Sequence, residues 1–392
     1  MILFFMFLAA LNFVNRFYIC VYAAAILFVL TPNRKLRLNY SVLALLMLGV
    51  STLLFDPTAQ DAILDMVKPF TFALCFVLGA GLFRNKPDAA VDLQKEEKRV
   101  SSVVYVMAGG TFLHFLLNMF RNWSETQRSV LSDFWTRKEM SATGQAAMAT
   151  LAVAVACSFL FGKVSRKKKA IAIVIVALVV AYNLVLAGRT LFALLLIALV
   201  VAGLFICIEE KKNILKPVLT WLMVAVVLVG LYNADAWGLR TQVESSNFYV
   251  RFYGGEDTLY GDVTQDMGDD ARMDHKAAFI KRMLDHPWGG GNIRAEYGHS
   301  AHDLYLDTYD EAGVFALCSV VAYIVGSLSR LRKCIKNKKF SIEFRVLMLC
   351  TYLICNIMFW MEPIIRGIPW LFAAYCFVDG AVTHLLMRER GA

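Results

Sequence analysis

The sequence predicts an all-α polytopic integral membrane protein: about twelve transmembrane helices, one large folded loop on the outer side, and both termini cytoplasmic. Composition is the first ground. Hydrophobic residues make up 58% of the 392 residues and charged ones only 18%, against about 45–50% and about 25% in an ordinary soluble domain. Disorder is excluded too, because 28 Phe, 15 Tyr and 7 Trp supply ample surface for burial. The second ground is pattern, since long apolar runs recur with short basic or polar punctuation between them. The third is the side on which that punctuation falls.

The expected spans lie near 1–15, 17–31, 41–55, 66–83, 100–120, 141–162, 170–187, 190–208, 217–233, 312–328, 344–361 and 367–386. A crossing needs about 20 apolar residues, so the shorter runs are expected to extend at their ends. The stretch 1–31 reads either as two crossings or as one segment bent around Asn12, Asn15 and Arg16. No basic region precedes Phe4 and apolar character resumes after Arg16, so cleavage as a signal peptide is not expected.

With the N-terminus inside, the clusters Arg34-Lys35-Arg37, Arg84 to Arg99, Lys163 to Lys169, Lys211 to Lys216, Arg330 to Arg345 and Arg388-Arg390 all fall on one side. Short loops rich in Lys and Arg face the cytoplasm, which fixes the orientation. All nine cysteines lie in or beside spans and no CxxC pair occurs, so neither disulfides nor zinc is expected.

Residues 234–311 break the rhythm. The chain thus divides into helices 1–9 over 1–233, an outer cap over 234–311, and helices 10–12 over 312–392. Connections of this length are functional or disordered. Trp237, Phe248, Tyr249, Phe252, Tyr253, Phe279, Trp288 and Tyr297 argue for a folded cap. The cap holds more acidic than basic residues, so the overall +9 charge gives no case for nucleic acid. Within it, 270–286 carries apolar residues at helical spacing, ended by Pro287 and Gly289, Gly290 and Gly291. A second helical segment is expected over 299–313, running into the next span.

Candidate site residues are cations on the outer edge. Arg189 sits at a turn between spans, Lys68 begins a span, Arg366 opens the last one, and Arg251 and Arg272 belong to the cap. Such residues either snorkel to the interface or hold a ligand. Several guanidiniums converging on one outer cavity would suit a diphosphate, whose oxygens match the planar fork. His299 and His302 are expected one helical turn apart beside Asp303, a pattern better suited to a general base than to a metal, since no HExxH occurs. His275 and His286 read as solvated cap residues, and the spans have few ionisable residues at their centres, His114 being an exception.

Four short matches give the chain a likeness. His302-Asp303 followed by nine residues and Gly313 is similar to a histidine element of the O-antigen ligase family, with Asp303 where that family carries an amide or hydroxyl. The segment beginning Gly188-Arg189 resembles its R-x3-L element, with Ala193 at the Leu position. Residues 271–288 resemble its arginine-led loop helix, and Arg366-Gly367-Ile368-Pro369 its R-S-I-P opening. The sequence therefore resembles the O-antigen ligase family and, next to it, the O-antigen polymerases.

That resemblance implies inverting, metal-independent and cofactor-free transfer of a glycan at the periplasmic face of the bacterial inner membrane. The donor would be an undecaprenyl-diphosphate-linked glycan. The acceptor would be lipid A–core in a ligase, or a carrier-linked glycan in a polymerase. By matched position, Arg189 and Arg272 would hold the diphosphate and His302 would act on the acceptor hydroxyl. Lys68, Arg366, Arg251, His299 and Asp303 would complete the substrate-binding set, with membrane lipid around the spans. A twelve-helix secondary transporter is the competing reading; transporters place their sites near the bilayer midplane, often in repeated halves.

Overall fold

The computed structural model describes residues 1–31, 39–56, 66–83, 92–123, 131–186, 190–211, 223, 226, 229–244, 249 and 271–390. Among these the protein is helical throughout, with one isolated antiparallel bridge between Ser132 and Glu139. The helices are α1 (Ile2–Ala10), α2 (Phe17–Leu30), α3 (Tyr40–Phe55), α4 (Thr71–Gly81), α5 (Leu93–Asn122), α6 (Ala142–Ala147), α7 (Thr150–Phe161) and α8 (Arg166–Leu186). They continue as α9 (Thr190–Glu209), α10 (Leu239–Glu244), α11 (Ala271–Arg282), α12 (Asn292–Tyr297), α13 (Leu304–Lys336), α14 (Ile342–Met361), α15 (Ile364–Gly367) and α16 (Pro369–Arg390).

Five of the described helices, α5, α9, α13, α14 and α16, are long and apolar enough to cross a bilayer. The protein is a helical membrane protein. Four more apolar segments, α2, α3, α7 and the stretch Lys68–Gly81 ending in α4, have 10–17 residues. At about 1.5 Å per residue these fall short of a hydrocarbon core of about 30 Å. The expected span at 217–233 lies mostly outside the described residues.

The stretch 1–31 resolves as two short helices. Asn12, Val14 and Asn15 all adopt left-handed backbone (φ 49, 52 and 55°), which ends α1 and reverses the chain before α2. The expected span 141–162 is divided into α6 and α7 at Met148–Ala149.

α16 is the centre of the bundle: 94% of its most apolar window is buried within the protein, against 39% for α9. Glycines explain how closely it is approached. A Cβ on Gly79 of α4 would strike the Phe377 carbonyl, and one on Gly380 of α16 would strike the Phe76 carbonyl. Two backbones thus cross in direct contact, the small-residue packing that replaces hydrophobic drive inside a bilayer. α3 packs along α13, where Gly326 accommodates the Tyr40 ring.

Two buried polar clusters correct the sequence reading. Arg330, expected among the exposed basic residues that set topology, is 5% exposed. Its guanidinium forks onto Asp379 of α16 and donates to Ser41 Oγ at 2.8 Å, while Tyr352 donates to Asp379 at 2.7 Å. Arg345 is also buried, against Glu209 at 3.0 Å. A lone charge at such depth is costly, so each has acquired a partner. Asp379 joins His114 as a buried ionisable group within a span. His114 itself reaches out of α5 to Asp133 at 2.7 Å, and with Asn118 and Asn122 pins the 131–140 loop onto the helix end.

Candidate functional site

One end of the bundle, the end expected to face outward, holds a cavity of about 340 Å³. Arg16, Lys68, Arg294 and Arg366 line it against two carboxylates, Asp56 and Glu311, while Phe17, Leu48, Phe72, Pro69, Pro369 and Trp370 supply apolar wall. The residues come from remote parts of the chain. Arg16 stands at the reversal between α1 and α2, and Lys68 in the 3₁₀ turn Lys68–Phe70 that leads into α4. Arg366 lies in α15, just before Pro369 starts α16 from the first helical position, where its missing N–H costs nothing.

Arg294 arrives by a longer route. The turn Pro287–Gly291 docks into a break in α13 at Gly313 (φ 78°, ψ −172°). Val314 N–H donates to the Pro287 carbonyl at 2.9 Å, while Gly290 and Gly291 donate to the carbonyls of Glu311 and Asp310 at 3.0 and 2.7 Å. The helical bonds interrupted by the break are thus replaced from outside the helix. The Asp310 side chain then accepts from Ile293 N–H at 2.8 Å and Arg294 N–H at 3.3 Å, fixing the start of α12. This directs Arg294 to Glu311, at 3.4 Å. Arg366 reaches the same Glu311 oxygen at 3.6 Å, beyond good hydrogen-bond length, and its side chain is 46% exposed. Two guanidiniums on the cavity wall therefore share one carboxylate.

Arg16 donates to the Tyr18 hydroxyl at 2.9 Å, and Lys68 Nζ lies 5.3 Å from the Tyr18 ring centre, so Tyr18 orders this second pair. Four cations facing two carboxylates leave a net positive cavity with an apolar flank. Such a cavity favours an anion attached to an apolar tail.

A second group of candidates lies at the head of α13. The expected helix over 299–313 begins only at Leu304, because Gly298 terminates α12 in left-handed conformation and Asp303 caps α13. His299 and His302 are accordingly not on one helical face. Asp303 Oδ1 accepts from Leu306 N–H at 2.6 Å and its other oxygen meets Lys276 Nζ at 3.2 Å. Burial pushes the Asp303 carboxyl up, although the Leu306 bond and the Lys276 charge oppose it. Lys276 also donates to the Trp360 carbonyl at 2.8 Å and lies over the Trp360 ring, joining α11 to α14.

His275, expected to be solvated, stacks on His299 with centroids 3.5 Å apart, and His302 lies 6.3 Å from His275. His302 has left-handed backbone (φ 57°), uncommon for a non-glycine residue and concentrated at functional sites. Asp303 and Glu311 stand about 12 Å apart along the axis of one helix, so the histidine group and the cavity share a scaffold.

Of the expected site residues, the structure brings Lys68 and Arg366 together. It places His299, His302 and Asp303 in the neighbouring group, outside the cavity wall. Arg189 and Arg251 lie outside the described residues. Arg272 begins α11 one turn before Lys276, its side chain likewise outside them. Arg16, Arg294 and Glu311 are cavity residues that sequence reasoning missed. Arg16 had a signal, a cation interrupting an apolar stretch; Arg294 had none, being one of several arginines in a polar cap. No protein-family model and no curated protein matches the chain.

Proposed function

We propose that the protein is a glycosyltransferase that moves a glycan from a polyprenyl-diphosphate carrier to a second, glycan-bearing acceptor at the outer face of the membrane. One observation carries this reading: a cavity at the end of a membrane bundle with four cations on its wall and apolar residues beside them. Arg16, Lys68, Arg294 and Arg366 would hold the diphosphate, and Phe17, Leu48 and Phe72 would receive the first prenyl units. Arg189 and Arg272 are assigned the same charge-stabilising role on the resemblance to O-antigen ligases.

In the reaction, the acceptor hydroxyl attacks the anomeric carbon while the bond from that carbon to the diphosphate oxygen breaks. The electron pair leaves with the diphosphate, the hydroxyl proton passes to the His302 imidazole, and the anomeric configuration inverts. Preorganised cations stabilise the departing negative charge without a metal, each worth about 3–4 kcal/mol at comparable sites. A positioned base adds a factor of about 100 to 10,000. His302 immediately precedes Asp303, the cap of the helix that carries Glu311, and this shared scaffold supports its assignment as the base. With lipid A–core as acceptor the protein is an O-antigen ligase of the bacterial inner membrane, working from the periplasmic side.

The test uses purified protein with a lipid-linked donor, offered either a core acceptor or a second carrier-linked glycan. Transfer to the core, unaffected by chelator and lost in His302→Ala and Arg272→Ala, is the expected result. Transfer only to the carrier-linked glycan would assign a polymerase. Flux of a solute with no transfer to either acceptor would overturn the reading.

A further inference from the structure

The opposite end of α13 carries a second charged cavity, of about 490 Å³, that the proposed reaction does not use. Its wall includes Ser329, Arg332, Lys333, Lys336 and Asn337 of α13 and the following turn, with Leu386 and Glu389 of α16. Its residues on α13 and the following turn lie about 27–39 Å along the helix axis from Glu311, on the far side of a bilayer-thick segment.

What distinguishes this cluster is that three cations without a paired carboxylate among the described residues line one hollow. Several other cations at this end have found carboxylates: Arg330 has Asp379, Arg345 has Glu209, Lys163 has Glu210 and Lys339 has Glu389. The single acid in the cavity wall, Glu389, is thus engaged by Lys339 at 3.0 Å. Among the described residues, no carboxylate pairs with Arg332, Lys333 or Lys336, although all three converge on one hollow.

A second observation concerns the helix surface below. Val321, Val325 and Leu328 are 42, 61 and 42% exposed. At 100° per residue they form one stripe that leads to Arg332, with Ser329 and Lys336 flanking it. An apolar stripe about 10 Å long thus terminates in three cations and a hydroxyl. The pattern matches a lipid in two parts, acyl chain along the stripe and phosphate in the hollow. A free anion would have no use for the stripe.

We propose that this end of α13 is a binding site for an anionic phospholipid, whose phosphate is held by Arg332, Lys333 and Lys336. Basic hollows between membrane helices hold acidic lipid headgroups in this way, each basic residue contributing about fivefold in affinity. The site is independent of the outer cavity and of the reaction assigned to it.

The experiment is native mass spectrometry of the purified full chain in detergent, titrated with phosphatidylglycerol or with phosphatidylcholine. The chain should retain phosphatidylglycerol in preference to phosphatidylcholine. The triple variant Arg332→Gln, Lys333→Gln, Lys336→Gln should lose it by about a hundredfold. A control triple, Arg166→Gln, Lys167→Gln, Lys169→Gln on α8, should keep it, and both variants should elute as the wild type does in size exclusion. Equal retention of the two lipids, wild-type binding by the first triple, or equal loss in the control would each overturn the proposal. So would displacement of phosphatidylglycerol by millimolar inorganic phosphate, which would identify a free anion as the occupant.

Discussion

Gly313→Ala is expected to be a strongly damaging single-methyl change at the cavity end of the protein. Gly313 has φ 78° and ψ −172°, a region open essentially to glycine alone, and holding any other residue there costs about 1–3 kcal/mol. Space is also absent: a Cβ would lie 2.7 Å from the Trp288 carbonyl carbon and 2.8 Å from the Pro287 oxygen, both backbone atoms. Either the strain stays or the turn Pro287–Gly291 moves off. If it moves, three backbone hydrogen bonds are lost, at about 1 kcal/mol each, for a total of about 3 kcal/mol. The same turn sets Arg294 against Glu311, so ligand affinity of the cavity they line should fall together with stability.

Two other glycines separate the contributions. Gly298→Ala meets left-handed backbone (φ 76°) in open space and should cost only about 1–2 kcal/mol. Gly367→Ala, in helical conformation with its nearest neighbour 4.0 Å away, should be neutral or slightly stabilising. Thermal unfolding of the purified protein, followed by tryptophan fluorescence, reads all three, and Trp288, stacked on Phe55 at 5.6 Å, reports on the turn itself. A Gly313→Ala protein as stable as Gly298→Ala would refute the interlocked-turn argument.

Further expectations concern charge. Arg366→Gln should weaken donor binding about 10- to 100-fold in a titration, because a hydrogen bond to a charged partner contributes about 1.5–3 kcal/mol. Arg330→Met should cost about 3–5 kcal/mol in thermal unfolding by leaving Asp379 buried without its partner, and Asp379→Leu added to it should restore most of the loss. The Asp303 carboxyl is pushed up by burial, so the folded state holds its proton to higher pH than the unfolded chain does. Its contribution to stability is therefore complete below the ordinary aspartate range of about 4 and is lost as pH rises through the raised value. Unfolding measured across that window should show wild type losing stability relative to Asp303→Asn as pH increases; a parallel pair of curves would count against the assignment.

Helical class and membrane residence were legible without coordinates, because hydropathy summed over a window is a local property and the bilayer acts on it directly. The same holds for the amphipathic α11, whose apolar spacing and Pro-Gly stop signals lie within one short segment. The start of α13 was misplaced because capping by Asp303 and the left-handed Gly298 and His302 outweigh the helical pattern of 299–303.

Tertiary structure alone decided which charges matter. Arg330 and Lys336 look alike in a basic cluster, yet Arg330 is sealed against Asp379 and Lys336 is exposed. Arg16, Lys68, Arg294 and Arg366 come from opposite ends and the middle of the chain, and no periodicity links them. They meet because Gly79 and Gly380 let α4 lie against α16 and because Gly313 admits the turn that carries Arg294. Hydropathy selects the phase in which a segment sits, whereas the convergence of charges depends on how closely backbones pack, and that is settled only when the helices assemble.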